Sequence, residues 1–167
     1  MIFPIVDIEF RKIHPAAIIP EYKTDGSLGI DLCPITYKGS NRTETLYCQP
    51  YTITVARTGL GISHITEGFH AEVYLRSSTG IKYPGLILAN HVGIIDTDYI
   101  GPEDELYLLL HNTNTQVIHK IEAGERIAQL VIRKSFKANI SEFKNESGLS
   151  LGSRTTGSSR GGLGSTG

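Results

Sequence analysis

The chain has 167 residues, of which 40% are apolar and 20% charged, and its formal net charge is −1. These values are ordinary for a single globular domain that buries its own core. A near-neutral chain without a basic block argues against electrostatic binding to nucleic acid, and no apolar run approaches the ~18 residues of a membrane span. Met1 to Arg11 lacks the features of a signal peptide, so we expect a cytoplasmic location, or the host cytoplasm for a viral chain.

Short apolar runs separated by glycine, proline and asparagine dominate the chain up to Ile132. Such runs are typical of an all-β sandwich or barrel. A short helix within Ile118 to Gln129 is a weaker alternative, because Gly124 interrupts the helical pattern. The predicted strands are Ile2 to Phe10, Tyr51 to Val55, Phe69 to Leu75, Leu86 to Ala89, Glu105 to Leu110, Gln116 to Ile121 and Ile127 to Ile132.

The segment Arg76-Ser77-Ser78-Thr79-Gly80 follows a predicted strand. One arginine, three hydroxyl groups and a glycine at a strand end could coordinate a polyphosphate. Taken alone, the segment fits better an ordinary exit from a strand into a loop, with serine and threonine turn chemistry.

Two carboxylates and a tyrosine, at Asp96, Asp98 and Tyr99, occupy a turn between two apolar runs. Carboxylates so near a buried edge are usually paired, metal-bound or catalytic. The surrounding segment, Gly93 to Gly101, is therefore the most informative part of the chain.

Gly124 to Leu130 predicts a turn that enters a strand. Gln129 stands among apolar neighbours there, so if buried it needs a hydrogen-bond partner, from either backbone or ligand. The six histidines and two cysteines lack the spacing of a zinc site, and no local signature of a Ser-His-Asp triad occurs.

From Ser147 to Gly167 nearly every residue is Gly, Ser, Thr, Leu or Arg, which predicts a flexible arm. We therefore divide the chain into a β-domain, residues 1–146, and an arm, residues 147–167. The glycines at the end of the arm, with Arg160, Ser165 and Thr166, suit a phosphate-binding lid. Composition alone favours a solubilising tail. A dinucleotide-binding or P-loop interpretation fails, because no strand and helix frame these glycines and the lysine is absent.

Taken in order, five segments resemble the five motifs of the trimeric deoxyuridine triphosphatases, the dUTPases. The resemblance covers roughly residues 24–167 and implies a jelly-roll-like β-barrel assembled as a homotrimer, whose shared active sites are each closed by a neighbour's arm. It also implies Mg²⁺-assisted hydrolysis of dUTP to dUMP and pyrophosphate, which keeps uracil out of DNA and supplies dUMP. The segments are Gly26 to Leu32, Arg76 to Gly80, Asn90 to Gly101, Gly124 to Leu130 and the tail from Arg160.

The resemblance implies a role for each matching residue on the nucleoside side of the site. Asp96 matches the aspartate that orients and deprotonates the attacking water, a step that a nearby carboxylate can perform as general base. Tyr99 matches the tyrosine packed against the deoxyribose, whose ring would exclude a 2′-hydroxyl. Asn90 lies in the hairpin that reads the uracil edges, and a pocket this tight would also exclude the thymine methyl group.

On the phosphate side, Arg76, Ser77, Ser78 and Gln129 match residues near the phosphates. Asp31 matches an aspartate that supports the site and its metal-bound water. Because family members hold Mg²⁺ mainly through phosphates and waters, we predict no direct protein ligand to the ion. The predicted substrate contacts from the arm are Arg160, Leu163, Ser165 and Thr166.

The chain departs from the family pattern in three places. Leu163 replaces the aromatic residue that stacks on uracil, and such stacking is worth ~1–3 kcal/mol per base. Arg160 directly precedes the glycines, closer than is usual, and we favour it over Arg154 as the arginine of the fifth motif. Pro102 to Glu105 predicts a bulge or a longer loop. These departures resemble a bacterial and phage-associated branch of the family.

Two other functions remain open from the sequence. The first is dCTP deamination, alone or combined with dUTP hydrolysis, for which Glu67 or Glu72 could supply the glutamate that activates water. The second is a nucleotide-gated regulatory role, since some phage-associated relatives bind regulatory proteins. Neither alternative has a motif of its own in this chain.

Overall fold

The computed structural model describes residues 5–35, 37–38, 41–42 and 45–143. Within these ranges the chain forms thirteen β-strands and one short helix. The strands are β1 (Ile8–Lys12), β2 (Gly29–Leu32), β3 (Tyr37–Lys38), β4 (Asn41–Arg42), β5 (Thr45–Cys48), β6 (Ile53–Arg57), β7 (Leu60–Ile65), β8 (Phe69–Leu75), β9 (Leu86–Leu88), β10 (Gly93–Ile95), β11 (Tyr107–Asn112), β12 (His119–Glu122) and β13 (Ala128–Lys134); the helix is α1 (Ser77–Lys82).

Two antiparallel sheets carry most of the core. The larger has the strand order β10-β8-β13-β2, and the smaller has the order β6-β11-β9. Three two-stranded pairs, β1-β7, β5-β12 and β3-β4, complete the set. Most neighbours in these sheets are distant in sequence, as in Greek-key and jelly-roll folds. The predicted all-β class is confirmed.

The alternation of side chains explains why these segments form strands. On β8 the side chains of Ala71 and Val73 are buried, whereas the alternating residues Glu72 and Tyr74 face outward. The paired strand β13 buries Ala128 and Leu130 in the same way. Leucines of the smaller sheet complete this single hydrophobic core. The core residues of the smaller sheet are Ala56, Leu86, Leu88, Leu108 and Leu110.

The structure corrects the sequence-based predictions at two places. Ser77 to Lys82 forms helix α1 rather than a plain loop exit, because Thr79 is buried and donates a hydrogen bond of 2.6 Å to the Ile127 carbonyl. The weaker alternative of a helix within residues 118–129 is wrong. This range contains β12, a turn at Gly124 with φ of 82°, and the start of β13.

A division between two units of the chain falls after Ser135, and the second unit begins at Phe136. Its described part, Phe136 to Phe143, contains no helix or strand, and the side chain of Ile140 is 95% exposed. The predicted boundary after residue 146 and the whole arm, residues 147–167, lie outside the described residues. Within the described ranges no helix is long and apolar enough to cross a membrane.

Candidate active site

A connection between the two sheets forms the first half of the candidate site. The chain leaves β9 in the smaller sheet at Leu88 and enters β10 in the larger sheet at Gly93. At the tip His91 has φ of 59°, in the left-handed region, where histidine is one of the few residue types enriched besides glycine. The Val92 N–H donates to the Asn90 carbonyl at 2.6 Å, which tightens the bend.

This connection borders a cavity of about 320 Å³, at the lower end of the range for small-molecule sites. Three predicted site residues, Asn90, Asp96 and Tyr99, line it together. The Asp96 and Asn90 side chains are exposed, whereas Tyr99 is half-buried. The remaining lining residues are mostly apolar: Val55, Gly93, Ile94, Ile95, Glu105, Tyr107 and Leu109.

Tyr99 is fixed at both ends. Its N–H donates to the Asp96 carbonyl at 3.1 Å, which closes a turn between the two residues. Its hydroxyl donates to the Glu105 carbonyl at 2.9 Å. Burial raises the pKa of the Tyr99 hydroxyl, so this group remains a neutral donor at neutral pH.

Glu105 is a pocket residue that the sequence pattern did not single out as functional. Its side chain is 2% exposed, yet its carboxylate accepts hydrogen bonds from Arg57 Nη2 at 2.7 Å and from the Gly59 N–H at 2.7 Å. Arg57 lies 48 positions from Glu105 in sequence, so no local pattern links the two residues. The only sequence signal for Glu105 was its place as a glutamate where the Pro102–Glu105 loop meets an apolar run. That predicted loop is present as a turn in which Asp104 N donates to the Gly101 carbonyl at 3.0 Å.

A cluster of opposite charges forms the second half of the candidate site. Asp31 on β2 accepts from Arg76 Nε at 2.9 Å and from Arg126 Nη1 at 3.2 Å. Gln129 on β13 is the direct cross-strand partner of Asp31. A Cβ on Gly29 would overlap the Gln129 side-chain oxygen and lie 2.9 Å from its Cδ, so a larger residue at position 29 would displace the end of this flexible side chain.

Arg76 is the centre of this cluster. It lies between the end of β8 and the start of α1. Its N–H donates to the Ile127 carbonyl at 3.0 Å, and its Nη1 donates to the Arg126 carbonyl at 3.1 Å. The next two residues, Ser77 and Ser78, are exposed in the first turn of α1. Segments 26–32, 76–80 and 124–130 therefore meet at one end of the larger sheet.

The register of β8 separates the two halves of the site within one chain. Asp96 directly follows Ile95, which pairs with Ala71 near the start of β8. Arg76 lies five residues beyond Ala71, a distance of about 16 Å at ~3.3 Å per residue. The structure thus unites Asn90, Asp96 and Tyr99 in one place and Asp31, Arg76 and Gln129 in another. Arg160, Leu163, Ser165 and Thr166 lie outside the described residues.

The glutamates considered for deamination lie elsewhere. Glu72 is on the outward face of β8, where it accepts hydrogen bonds from the Tyr74 hydroxyl and His70 and pairs with Arg133. The Tyr74 hydrogen bond lowers the pKa of Glu72. Glu67 is exposed in the β7–β8 turn. Neither residue lines the cavity beside Asp96.

The described residues contain no group of three or more histidine, cysteine, aspartate or glutamate side chains that could hold a metal ion. Both oxygens of Asp31 are engaged by arginines. Oxygen-rich substrates often supply most of the ligands to Mg²⁺, with waters completing its octahedron. The residues present therefore fit an ion that arrives with a polyphosphate.

The candidate site thus has two parts on a β-fold, a cavity of about 320 Å³ and a separate cluster of two arginines around Asp31. The dUTPase family model matches residues 16–160. Deoxyuridine 5′-triphosphate nucleotidohydrolase from Helicobacter pylori is 34% identical over 160 residues, covering 96% of each chain. This chain belongs to the dUTPase family.

Solved structures agree on the fold. A mutant of the Staphylococcus bacteriophage 80alpha dUTPase with dUpNHpp has a TM-score of 0.67 at 21% identity, covering 83% of this chain and 97% of that chain. A phage phi11 dUTPase, described with a structural Mg(II) ion, has a TM-score of 0.68 at 20% identity with the same coverage. The predicted jelly-roll-like fold is confirmed.

Proposed function

We propose that this protein hydrolyses dUTP to dUMP and pyrophosphate at a site shared between copies of the chain. The observation that carries the proposal is the separation of Asp96 from Arg76, which the register of β8 sets at about 16 Å. One copy would supply the cavity at Asp96, and another would supply the cluster at Arg76. Two chains facing each other in a closed symmetric assembly can bring these groups together.

In this proposal Asp96 activates the attacking water. Its carboxylate is exposed at the rim of the cavity and can accept a proton from a water positioned between it and the nucleotide. That water attacks the α-phosphorus, the bond from this phosphorus to the α,β-bridging oxygen breaks, and pyrophosphate leaves with the electron pair. The products are dUMP and pyrophosphate, and the proton on Asp96 returns to solvent.

The cavity explains the choice of nucleoside. Tyr99, held by the Glu105 carbonyl at 2.9 Å, presents its ring as one wall, which would sit against the deoxyribose and leave no room for a 2′-hydroxyl. Asn90 and the backbone of the connection would read the edge of uracil. The backbone at Gly93, which lines the cavity, would leave no room for the methyl group of thymine.

The cluster at the other end of the sheet is suited to phosphates. Arg76 offers a planar fork of donors that can bind two phosphate oxygens at once. Ser77, Ser78 and Gln129 add neutral donors beside it. Mg²⁺ bound by the triphosphate would neutralise charge on the departing pyrophosphate, with Asp31 reaching the ion only through water. Arg160, Leu163, Ser165 and Thr166 of the arm would close the site over the substrate.

Exposed apolar side chains support a homotrimer or a comparable assembly. On the outward face of the smaller sheet, Ile53 is 56% exposed and Val55 is 55% exposed, and Val55 also lines the cavity. An uncovered row of this kind marks a surface for association. A second copy covering it would lie next to Asp96, where the phosphate cluster is required.

Complementation between inactive variants tests the shared site. Asp96→Asn and Arg76→Ala chains carrying different tags would be co-expressed, and pyrophosphate release from dUTP measured on doubly tagged assemblies. In a doubly tagged trimer about one site in three should regain both groups and turn over, and over the whole random mixture about one site in four. The matched control mixes Asp96→Asn with Tyr99→Ala, which damage the same cavity and should not complement. Failure of the first mixture as well would overturn the shared site.

Two further roles remain predictions. The 80alpha phage dUTPase structure is described under the words that phage dUTPases control transfer of virulence genes, but no surface among the described residues favours a particular regulatory partner. Deamination of dCTP has no free glutamate in the cavity to support it, since Glu105 is bonded to Arg57 and Gly59. Product analysis with dUTP and dCTP would separate the reactions, because only deamination yields a uracil nucleotide from dCTP.

A further inference from the structure

The loop from Ile100 to Glu105, which follows Tyr99, is held by an arginine outside all five motifs. Arg11 on β1 donates through Nη1 to the Ile100 carbonyl at 3.1 Å. Through Nη2 it donates to the Gly101 carbonyl and to the Asp104 carbonyl, the latter at 3.2 Å. One guanidinium therefore ties the beginning of the loop to its end.

A second set of contacts fixes the exit of the loop to the turn between β6 and β7. Arg57 Nη2 and the Gly59 N–H hold the Glu105 carboxylate, each at 2.7 Å. The Thr58 hydroxyl donates to the Leu106 carbonyl at 2.7 Å, and the Leu106 N–H donates to the Leu60 carbonyl at 2.8 Å. The exit is thus anchored through both side chain and backbone.

Close packing leaves this arrangement little freedom. A Cβ on Gly61 would lie 2.6 Å from the Asp104 carbonyl oxygen and 2.7 Å from Arg11 Nη2. No side chain larger than that of glycine fits between β7 and the clamped loop. The loop is consequently pressed against the barrel at the position where Arg11 holds it.

Tyr99 depends on this loop for its orientation. Its hydroxyl donates to the carbonyl of Glu105, the residue that Arg57 and Gly59 anchor. Its ring lines the cavity beside Asn90 and Asp96. A shift in the Glu105 backbone would therefore move the ring that faces the sugar.

We propose that Arg11 and the Arg57–Glu105 pair are positioning residues that set the exclusion of ribonucleotides by holding Tyr99 in place. The proposal rests on dUTP hydrolysis as the function of the cavity. Neither arginine lines the cavity, so each acts through the loop. Their loss should widen the space beside the sugar, and affinity for a 2′-hydroxyl nucleotide should rise relative to dUTP.

The test compares Arg11→Lys and Arg57→Lys, which keep the charge but lose the planar fork, with the control Arg133→Lys, an exposed arginine paired with Glu72. Steady-state kinetics with dUTP and UTP would be measured beside hydrogen exchange over residues 99–106. Arg11→Lys and Arg57→Lys should both speed hydrogen exchange over residues 99–106. Both should also lose roughly tenfold of the dUTP-over-UTP preference in kcat/KM, mainly through KM. The control should change neither quantity.

Unchanged exchange in the loop, or faster exchange with an unchanged preference, would overturn the proposal and leave the loop a purely structural element. If the wild-type protein hydrolyses no dUTP, the proposed function fails. The positioning role of Arg11 and Arg57 is then tested separately, by hydrogen exchange and by the relative affinities for dUMP and UMP in calorimetry. If Arg11→Lys does not fold, Arg57→Lys decides the question, because the Arg57 side chain is 46% exposed and tolerates change better.

Discussion

The two halves of the site are built by different means. The cavity that contains Asp96 is shaped by backbone, apolar side chains and one exposed carboxylate. Its wall at Tyr99 is fixed by a hydrogen bond to the Glu105 carbonyl. The cluster at Arg76 is built from charges that neutralise one another: two guanidinium groups and one carboxylate leave a single net positive charge. The protein can form the shape of a cavity without a ligand in it. Neighbouring positive charges repel one another, however, so they need a counterion whenever no anionic ligand is bound.

Asp31 holds Arg76 and Arg126 at 2.9 and 3.2 Å. In the proposed function it is the counterion that would orient both arginines before a phosphate binds. Preoriented donors avoid the cost of reorganising at the moment of reaction. The comparison therefore predicts that damage to the cavity affects chemistry or selectivity, while damage to the cluster affects phosphate positioning.

The largest effect is expected from Asp96→Asn. Loss of the general base should lower kcat by about 10²–10⁴-fold, while the amide keeps the shape of the cavity and so the affinity for a non-hydrolysable dUTP analogue. Pyrophosphate release and calorimetry would measure the two quantities. Glu103→Gln removes an exposed carboxylate from the neighbouring loop and is the matched control. Near-normal turnover of Asp96→Asn would exclude this residue as the base.

Arg76→Lys tests the charge cluster. A lysine keeps the positive charge but cannot offer a planar fork to both Asp31 and a phosphate, so kcat/KM for dUTP should fall by about a hundredfold through misplacement of the phosphates. Affinity for dUMP, which has a single phosphate, should fall less. Equal losses of affinity for dUTP and dUMP would contradict a role centred on the polyphosphate.

Local sequence patterns predicted the parts of the site that depend on neighbours along the chain. The turn that carries Asp96 and Tyr99 was visible because polar residues interrupt two apolar runs, and the structure brings both to one cavity together with Asn90. The meeting of Asp31 with Gln129 was implied only by the family resemblance. In the structure it follows from the pairing of β2 with β13.

Contacts between distant segments could not be predicted in this way. Arg11 reaches the Gly101 carbonyl across 90 positions, and Arg57 reaches Glu105 across 48. Neither pair leaves a periodic signal. Helix α1 was missed for a similar reason, since a six-residue segment containing Gly80 has little helical propensity and is held by the Ile127 carbonyl. Strands β2 and β10 are four and three residues long, too short for alternation to define them.

A smaller effect is expected from Gly29→Ala. The new methyl group would overlap the end of Gln129 and push this flexible side chain away from the phosphates. We expect kcat/KM to fall by about tenfold, equivalent to ~1.4 kcal/mol of transition-state stabilisation. The control is the same change in a Gln129→Ala background, where it should cost little. Additive losses in the double variant would mean that Gly29 matters for strand packing and not through Gln129.

The smallest effect concerns Glu125, which ties the turn before β13 to the end of α1. It accepts from Lys82 Nζ at 2.6 Å and from the Tyr83 hydroxyl at 2.8 Å. Burial alone would raise the pKa of Glu125, but the hydrogen bonds from Lys82 and Tyr83 outweigh it and lower that pKa below its ordinary 4.5. A carboxyl with a lowered pKa stabilises the folded state above its unfolded pKa and loses this contribution as the pH falls through the folded pKa.

Glu125→Gln should therefore lower the free energy of unfolding by about 1 kcal/mol at pH 7, the value for a charged hydrogen bond after discounting for solvent screening. The difference from wild type should shrink as the pH falls below 4.5. Urea unfolding at fixed protein concentration would measure it, since association also affects stability. If the difference in unfolding free energy stays constant down to pH 3, the glutamine acts by perturbing the packing around Tyr83. The charge of Glu125 would then contribute little to the contact between its turn and α1.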